Sequence, residues 1–212
     1  LCNLATFGGG KTPSTGDATL YEEGGVPWVT SKDVKNPVLD GTQVTLSEKG
    51  AATLEAYPPG TLVMVTRSGI LKRLLPVARL SISATVNQDI KAIVPLRHME
   101  SDWLLTFFMA NDSYIRGKLG KDGTTVQSVN FDLVKKMLVP VPPLAEQRRI
   151  VAELDRLLAL VDGIERDSAD LDALKARARS KVLDLAARGL LVPQDASDEP
   201  AGELLARAAE ER

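Results

Sequence analysis

The segments Val139-Pro-Val-Pro-Pro143 and Leu144-Ala-Glu-Gln-Arg-Arg-Ile-Val151 decide the fold of this 212-residue chain. Proline suits the first turn of a helix, because the amide hydrogens there have no partner within the helix. After Leu144, neither proline nor a cluster of turn residues appears until Gly189 and Pro193. The sequence therefore predicts one uninterrupted helix over residues 144–188, roughly 67 Å long at 1.5 Å per residue.

Apolar residues recur along this predicted helix at alternating steps of four and three, which is the spacing of a coiled-coil seam. Polar Ser168 and Lys175 fill two seam positions, where they would fix the register against a partner. A helix of this length cannot bury its own apolar stripe, so we expect a second helix, from another chain or from a missing part of its own. The apolar seam positions are Ile150, Leu154, Leu157, Val161, Ile164, Leu171, Ala178, Val182 and Leu185.

Residues 1–143 have a different character, with short apolar runs separated by Gly, Pro, Asn and Asp. Run length and β-branching predict strands at Val26–Thr30, Thr61–Thr66, Ile82–Val86, Asp89–Val94 and Met137–Val141. Capping and apolar spacing predict helices from Ser47 to about Ala56, Ser101 to about Gly117, and Asn130 to Lys136. Long polar connections, functional or mobile, are expected at Phe7–Leu20 and Gly117–Val129.

The predicted fold class is therefore α+β, a mixed globular domain followed by a long coiled-coil-forming α-helix. We expect the globular domain over residues 1–143, the helix over residues 144–189, and a tail with a short helix over residues 190–212.

Composition favours a soluble globular protein, since 44% of the residues are hydrophobic and 25% are charged. No run of apolar residues is long enough to cross a membrane, and no signal sequence is visible, so we expect a cytoplasmic location. The single cysteine, Cys2, can neither close an internal disulfide nor build a zinc site. With His98 as the only histidine, most catalytic and metal schemes lack candidates.

Charge is sorted along the chain. Residues 1–143 hold 15 Lys and Arg against 13 Asp and Glu, whereas residues 144–212 hold 11 against 15. The run from Pro58 to Gln88 contains Arg67, Lys72, Arg73 and Arg79 but no acidic residue. Such sorting predicts a local positive surface, although acidic residues elsewhere in the fold could also balance it.

Several short motifs resemble parts of catalytic sites, but none of them is complete. Gly10-Lys11-Thr12 lacks the first glycine and the helix of a phosphate-binding loop, and the Gly8–Gly10 run lacks the helix of a dinucleotide-binding turn. The pairs Asp33-Val34-Lys35 and Asp89-Ile90-Lys91 resemble half of a nuclease metal site, but such pairs are common by chance. We expect His98 on the surface and Trp28 and Trp103 in the core, with no catalytic or metal-binding residue.

With catalysis set aside, ligand binding is the class of function that remains. Reading duplex DNA requires Lys and Arg for phosphates, together with Arg, Lys, Asn, Gln, Ser and Thr for base edges. These types collect at predicted loops and strand ends. The candidate DNA-contacting residues are Thr30, Ser31, Lys32, Arg67, Ser68, Lys72, Arg73, Asn87, Gln88, Lys118, Lys121, Thr124 and Gln127.

The order of several short motifs resembles one known family. They are Gly8-Gly-Gly-Lys-Thr-Pro-Ser14, Gly25-Val-Pro-Trp-Val-Thr30, Pro59-Gly-Thr-Leu-Val63, Arg67-Ser-Gly69, Thr85-Val-Asn-Gln88, Gly123-Thr-Thr125 and Val139-Pro-Val-Pro-Pro-Leu-Ala-Glu-Gln147. Together they resemble the specificity subunit of type I restriction-modification systems, and the Pro-Pro-Leu-x-Glu-Gln entry into the long helix is the most specific part.

The resemblance implies a target recognition domain that reads one half of a split site in double-stranded DNA, and a spacer helix. It also implies a non-catalytic subunit that binds no cofactor itself. Its implied partners are a methyltransferase (modification) subunit that holds S-adenosylmethionine and a restriction motor subunit that uses ATP and Mg.

Family members commonly carry two recognition domains and two antiparallel helices, whereas this chain has one of each. It could be a half-length subunit that forms a homodimer or pairs with a second half-subunit through the helix. It could also be a C-terminal piece of a longer chain or a degenerate product. The alternative from another class is a coiled-coil scaffold whose globular domain binds protein.

Overall fold

A computed structural model describes residues 1–121 and 126–187. The strands are β1 Ala5–Gly9, β2 Tyr21–Val29, β3 Val38–Leu39, β4 Thr45–Leu46, β5 Leu62–Val65, β6 Val77–Leu80, β7 Thr85–Val86, β8 Ile90–Pro95, β9 Gly120–Lys121 and β10 Ser128–Val129. The α-helices are α1 Glu48–Ala51, α2 Ser101–Ala110, α3 Asp112–Lys118, α4 Phe131–Lys135 and α5 Leu144–Ala187, and short 3-10 helices cover Ala18–Leu20 and Gly69–Lys72. The mixed α and β character agrees with the predicted fold class.

Strand β5 forms the centre of a five-stranded sheet with the order β1-β8-β5-β6-β3. Every residue of β5 is buried, because both faces of the sheet are covered. Leu62 and Met64 belong to one apolar cluster with Phe108 of α2, while Val63 and Val65 belong to a second cluster. This alternation is the period-two pattern of a strand. Because β5 contributes side chains to both clusters, it is held on both faces.

A smaller sheet has the order β4-β2-β7, with β4 antiparallel and β7 parallel to β2. Gly10 lies at its edge, where a Cβ atom would come within 1.5 Å of the carbonyl oxygen of Val86. The glycine run that resembles a phosphate-binding loop therefore serves close packing, since Gly8 and Gly9 belong to β1 and Gly10 passes against β7.

Several local predictions are wrong. Met137–Val141 is not a strand, and Leu138 is 93% exposed. The helix predicted from Ser101 to Gly117 is interrupted at Asn111, which separates α2 from α3. The predicted loop Phe7–Leu20 overlaps β1 and a 3-10 helix, and α1 is shorter than predicted. The predicted core positions of the tryptophans hold, since Trp28 is buried and Trp103 packs against the first cluster.

Helix α5 begins at Leu144, directly after the two prolines, and continues to Ala187. Its first turns, through Leu154, belong to the compact unit Leu1–Leu154. The side chain of Gln147 is fully buried in that unit. Its Nε2 donates to the carbonyl oxygens of Pro142 at 2.9 Å and His98 at 3.2 Å. His98 itself is exposed, as predicted.

Candidate nucleic-acid interface

The antiparallel pairing of β5 and β8 continues past the ends of both strands. Val65 is paired with Ile90, and beyond them the Thr66 amide donates to the Asp89 carbonyl oxygen at 2.8 Å. Arg67 follows Thr66 and Gln88 precedes Asp89, so both residues adjoin this last contact, while Arg67 itself forms an antiparallel bridge with Ser128. The topology thus brings together two of the predicted DNA-contacting residues that are far apart in the sequence.

These residues line an open depression in the surface. Its lining consists of Ser31, Arg67, Ser68, Gly69, Gln88, Asp89 and Val126. Arg67 and Gln88 are exposed, whereas Ser31, Ser68 and Asp89 are half-buried. Among the residues that the structure describes, none forms a hydrogen bond or ion pair with the Arg67 guanidinium. The depression therefore holds a charged donor, two hydroxyls, a carboxylate and the amide of Gln88, which bonds to Thr12 and Asp89.

Asn87 has a different setting from its neighbour Gln88. Asn87 is only 7% exposed, and its Oδ1 accepts a hydrogen bond from the Asp89 amide at 3.0 Å. The main-chain amide of Asn87 donates to the Val29 carbonyl oxygen at 3.0 Å. The side chain of Gln88 accepts a hydrogen bond from the hydroxyl of Thr12. Asn87 thus shapes the turn, and Gln88 lies at the surface.

The loop after β2 is held by Asp33. Its carboxylate accepts hydrogen bonds from the Thr30 amide at 2.8 Å, the Thr30 hydroxyl at 2.7 Å and the Gln43 amide at 2.8 Å. The Thr30 hydroxyl is therefore engaged within the protein, while Ser31 lines the depression and Lys32 is exposed. These bonds also show that Asp33 serves the loop, although its sequence context resembles half of a nuclease site.

Lys72 and Arg73 lie at the end of the 3-10 helix Gly69–Lys72, and both are exposed. Asp112 and Arg116 of α3 hold this segment from behind. The Asp112 carboxylate accepts from the Leu75 amide at 2.5 Å, and Arg116 donates to the Lys72 carbonyl oxygen at 3.4 Å. Hydrogen bonds from Arg116 keep the pKa of the Asp112 carboxyl below its ordinary value. The pair thus anchors the basic segment electrostatically.

The remaining basic candidates follow α3. Lys118 ends that helix and Lys121 ends β9, and both are exposed. Gln127 comes before β10, and its carbonyl oxygen accepts from the Ser68 amide at 3.1 Å. This bond brings Gln127 to the segment that also carries Arg67. Thr124 lies outside the described residues.

Helix α5 carries exposed apolar side chains at the predicted seam positions, and also outside them at Leu158, Leu160 and Leu174. Leu157, Val161, Ile164, Leu171 and Val182 are between 46% and 69% exposed, Ala178 is exposed, and Ile150 and Leu154 are half-buried. The side chain of Leu185 lies outside the described residues. A row of large apolar side chains with this exposure is typical of a helix that pairs with another helix.

Two other features are absent from the described part of the chain. Within residues 1–121 and 126–187, no three of His, Cys, Asp and Glu lie together as metal ligands would. None of the helices in the same ranges is both long and apolar enough to span a bilayer.

Sequence reasoning missed the acidic members of this surface. Asp89 lines the depression although the predicted DNA contacts are all basic or neutral, and Asp112 with Arg116 holds the segment of Lys72. Asp89 adjoins Gln88 in the sequence, and this adjacency to a predicted contact could have indicated that Asp89 lies at the same surface. The support by Asp112 depends on tertiary structure and had no signal in the sequence.

Comparison with known proteins identifies relatives. The model of the family described as type I restriction modification DNA specificity domain matches residues 1–171. The chain is 30% identical over 166 residues to the specificity subunit of the type I restriction enzyme EcoR124I/EcoR124II of Escherichia coli, covering 77% of this chain and 41% of the relative. It therefore spans about two fifths of the length of that relative.

Two solved structures share the fold. One comes from a study of complex assembly and conformational transition of the type I R-M system, with a TM-score of 0.68 and 23% identity over 89% of this chain and 45% of the other. The second is the HsdS subunit from Thermoanaerobacter tengcongensis, with a TM-score of 0.65 and 22% identity over 90% of this chain and 44% of the other.

Proposed function

The chain belongs to the family of type I restriction-modification DNA specificity domains, and from this premise we propose that it is a non-catalytic DNA-recognition subunit. Residues 1–143 read one half of a split target in double-stranded DNA. Helix α5, Leu144–Ala187, then holds this reader at a fixed distance from a second reader.

The observation that carries this proposal is the convergence of Arg67, Gln88 and Ser31 at one depression, in a domain whose family relatives are specificity subunits. Arginine and glutamine are side chains that read base edges, and hydroxyls serve bases and phosphates alike. The exposed Lys72 and Arg73, with Lys118 and Lys121, would contact phosphates and supply affinity that depends on salt.

The exposed seam of α5 supports the second part of the proposal. An apolar stripe that is half exposed is stabilised when another helix covers it, at roughly 25 cal/mol for each Å² of apolar surface removed from water. We propose that a helix of the same kind covers this stripe, and that it comes from a second copy of this chain or from a second half-subunit. A symmetric pair of identical readers would prefer a palindromic split target.

The activities themselves belong, in this proposal, to other subunits. The methyltransferase subunit would bring S-adenosylmethionine, and the restriction motor subunit would bring ATP and Mg. The chain acts by placing them at a target sequence, and it binds no cofactor of its own.

Mapping of methylated adenines tests the proposal directly. The methyltransferase subunit is expressed in a host with and without this chain, and methylated positions are sequenced across the genome. We expect a split sequence motif to be methylated only when the chain is present. Methylation that is unchanged by the chain would contradict the proposal, and binding of the chain to a protein instead of DNA would favour the scaffold alternative.

A further inference from the structure

Arg67 and Asp89 carry opposite charges and line the same depression, yet they form no ion pair. Within the described residues, the Arg67 guanidinium has no partner. The Asp89 carboxylate accepts one hydrogen bond there, from Gln88 Nε2 at 3.1 Å. The depression therefore holds a five-donor cation and an acceptor with spare capacity beside each other.

The backbone of Asp89 is held on both sides. Its carbonyl oxygen accepts from the Thr66 amide at 2.8 Å and from the Thr66 hydroxyl at 3.1 Å, while its amide donates to the Oδ1 of buried Asn87 at 3.0 Å. These bonds use only main-chain atoms of Asp89. The carboxylate therefore starts from a fixed point, as a group that discriminates between bases must.

A carboxylate at a DNA-binding surface weakens binding through repulsion from phosphates. A base that donates a hydrogen bond compensates for that cost, and the N4 amino group of cytosine is the group that Asp and Glu accept from. In the major groove, a G·C pair presents the N7 and O6 acceptors of guanine next to this donor. That order of two acceptors and one donor matches an arginine fork beside a carboxylate.

We propose that Arg67 and Asp89 together read a single G·C base pair in the major groove, which rests on the proposed function of the chain in DNA recognition. Arg67 donates to O6 and N7 of guanine, and Asp89 accepts from N4 of the paired cytosine. Asp89 lies opposite Thr66, the neighbour of Arg67 in the chain, and adjacent strands are about 4.8 Å apart, well within the roughly 12 Å width of the major groove. An A·T pair separates its two acceptors by a donor and leaves the arginine fork without two adjacent partners.

The test uses the complex of this chain with the methyltransferase subunit. Asp89→Ala, which removes the acceptor, and Arg67→Ala are compared with the unaltered chain by sequencing methylated DNA after reaction with a library of random target sequences. Lys72→Ala is the matched control, because a phosphate contact changes affinity for all sequences alike. Circular dichroism confirms folding, which Asp89→Ala preserves since the framework bonds of residue 89 are made by its main chain.

We expect both variants to lose the preference for one and the same G·C position by about ten-fold or more, and Lys72→Ala to keep the motif unaltered. An unaltered motif in both variants, or a relaxed preference at different positions in the two, would overturn the inference while leaving DNA recognition intact. If the unaltered chain directs no sequence-specific methylation, then the proposed function itself fails, and that result is distinct from the others.

Discussion

The side chain of Gln147 accepts a hydrogen bond from the main-chain amide of Glu100 at 2.9 Å, through its Oε1. Glu100 precedes α2, and Gln147 lies in the first turns of α5. Together with the two bonds from Nε2, this contact fixes the start of the long helix to the globular unit. Arg148 strengthens the same junction through an ion pair with the Glu100 carboxylate.

Replacing Gln147 with Ala should destabilise the globular unit by about 2 to 4 kcal/mol. Three partly buried main-chain groups would lose their partner, and each costs about 1 kcal/mol, the low end of the range for an unsatisfied buried group, because water reaches them in part. Unfolding in urea, followed by circular dichroism, measures the change in free energy. Gln43→Ala is the matched control, since that side chain is exposed; equal stabilities of the two variants would show that the junction contributes nothing.

Replacing Asp112 with Asn should lower the free energy of unfolding at pH 7 by about 1 to 2 kcal/mol, because hydrogen bonds to charged groups are the stronger ones. The folded-state pKa of Asp112 is below its ordinary value, so this stability is present above the ordinary pKa near 4 and is lost as the pH falls through the folded pKa. The difference between the unaltered chain and the variant should therefore shrink in acid.

Urea unfolding at pH 7 and at successive values below 4 checks this. Asp132→Asn is the control, because Lys135 also lowers the pKa of Asp132 but this carboxylate is 80% exposed. Water screens an exposed pair, so we expect little change there. A difference for Asp112→Asn that is independent of pH would contradict the electrostatic role.

The double variant Lys72→Ala, Arg73→Ala should bind DNA more weakly in the assembled complex, and its affinity should depend less on salt. Each lost phosphate contact reduces the slope of log K against log salt by about 0.9. Titration by fluorescence anisotropy at several salt concentrations gives the slope.

Lys49→Ala is the control for that titration. Lys49 contacts Thr19, at the start of β2, whereas Ser31 follows the far end of the same strand. An unchanged slope in the double variant would remove Lys72 and Arg73 from the interface.

If α5 pairs as we propose, substituting both Leu157 and Val161 with Asp should abolish the association of chains while the globular unit stays folded. Charged side chains in the seam would have to be buried without partners, which is strongly unfavourable. Sedimentation velocity measures the association, and circular dichroism the fold. Ala159→Asp places the same charge away from the seam positions as a control; a double variant that still sediments as a pair would refute the seam.

Prediction from sequence succeeded where a single local signal dominates. The two prolines before Leu144 set the start of α5, and the apolar run Leu62–Val65 forms a strand as predicted. The strand predicted at Met137–Val141 is wrong. This segment has β-branched residues but, within the described residues, no neighbouring strand to pair with. Two-residue strands such as β3 and β4 exist through pairing alone and were not predicted, whereas β7 is the end of the predicted strand Ile82–Val86.

The candidate site shows the same division. Arg67, Ser68 and Gln88 were predicted from residue type and lie together, because loops at strand ends carry such chemistry. Their shared depression depends on the pairing of β5 with β8, which the sequence does not reveal. Asp89 is not among the predicted contacts, because these were selected only from Arg, Lys, Asn, Gln, Ser and Thr, although an acidic side chain can also discriminate between bases.

The complete burial of β5 has a consequence for heat sensitivity. Amide hydrogens of a strand covered on both faces exchange with solvent only when the whole unit opens. Arg67 follows that strand by two residues and bridges Ser128, so we expect its main chain to stay in place until the same event. We expect selectivity to persist on warming until the domain melts as a unit, with no temperature range in which a folded but indiscriminate protein accumulates.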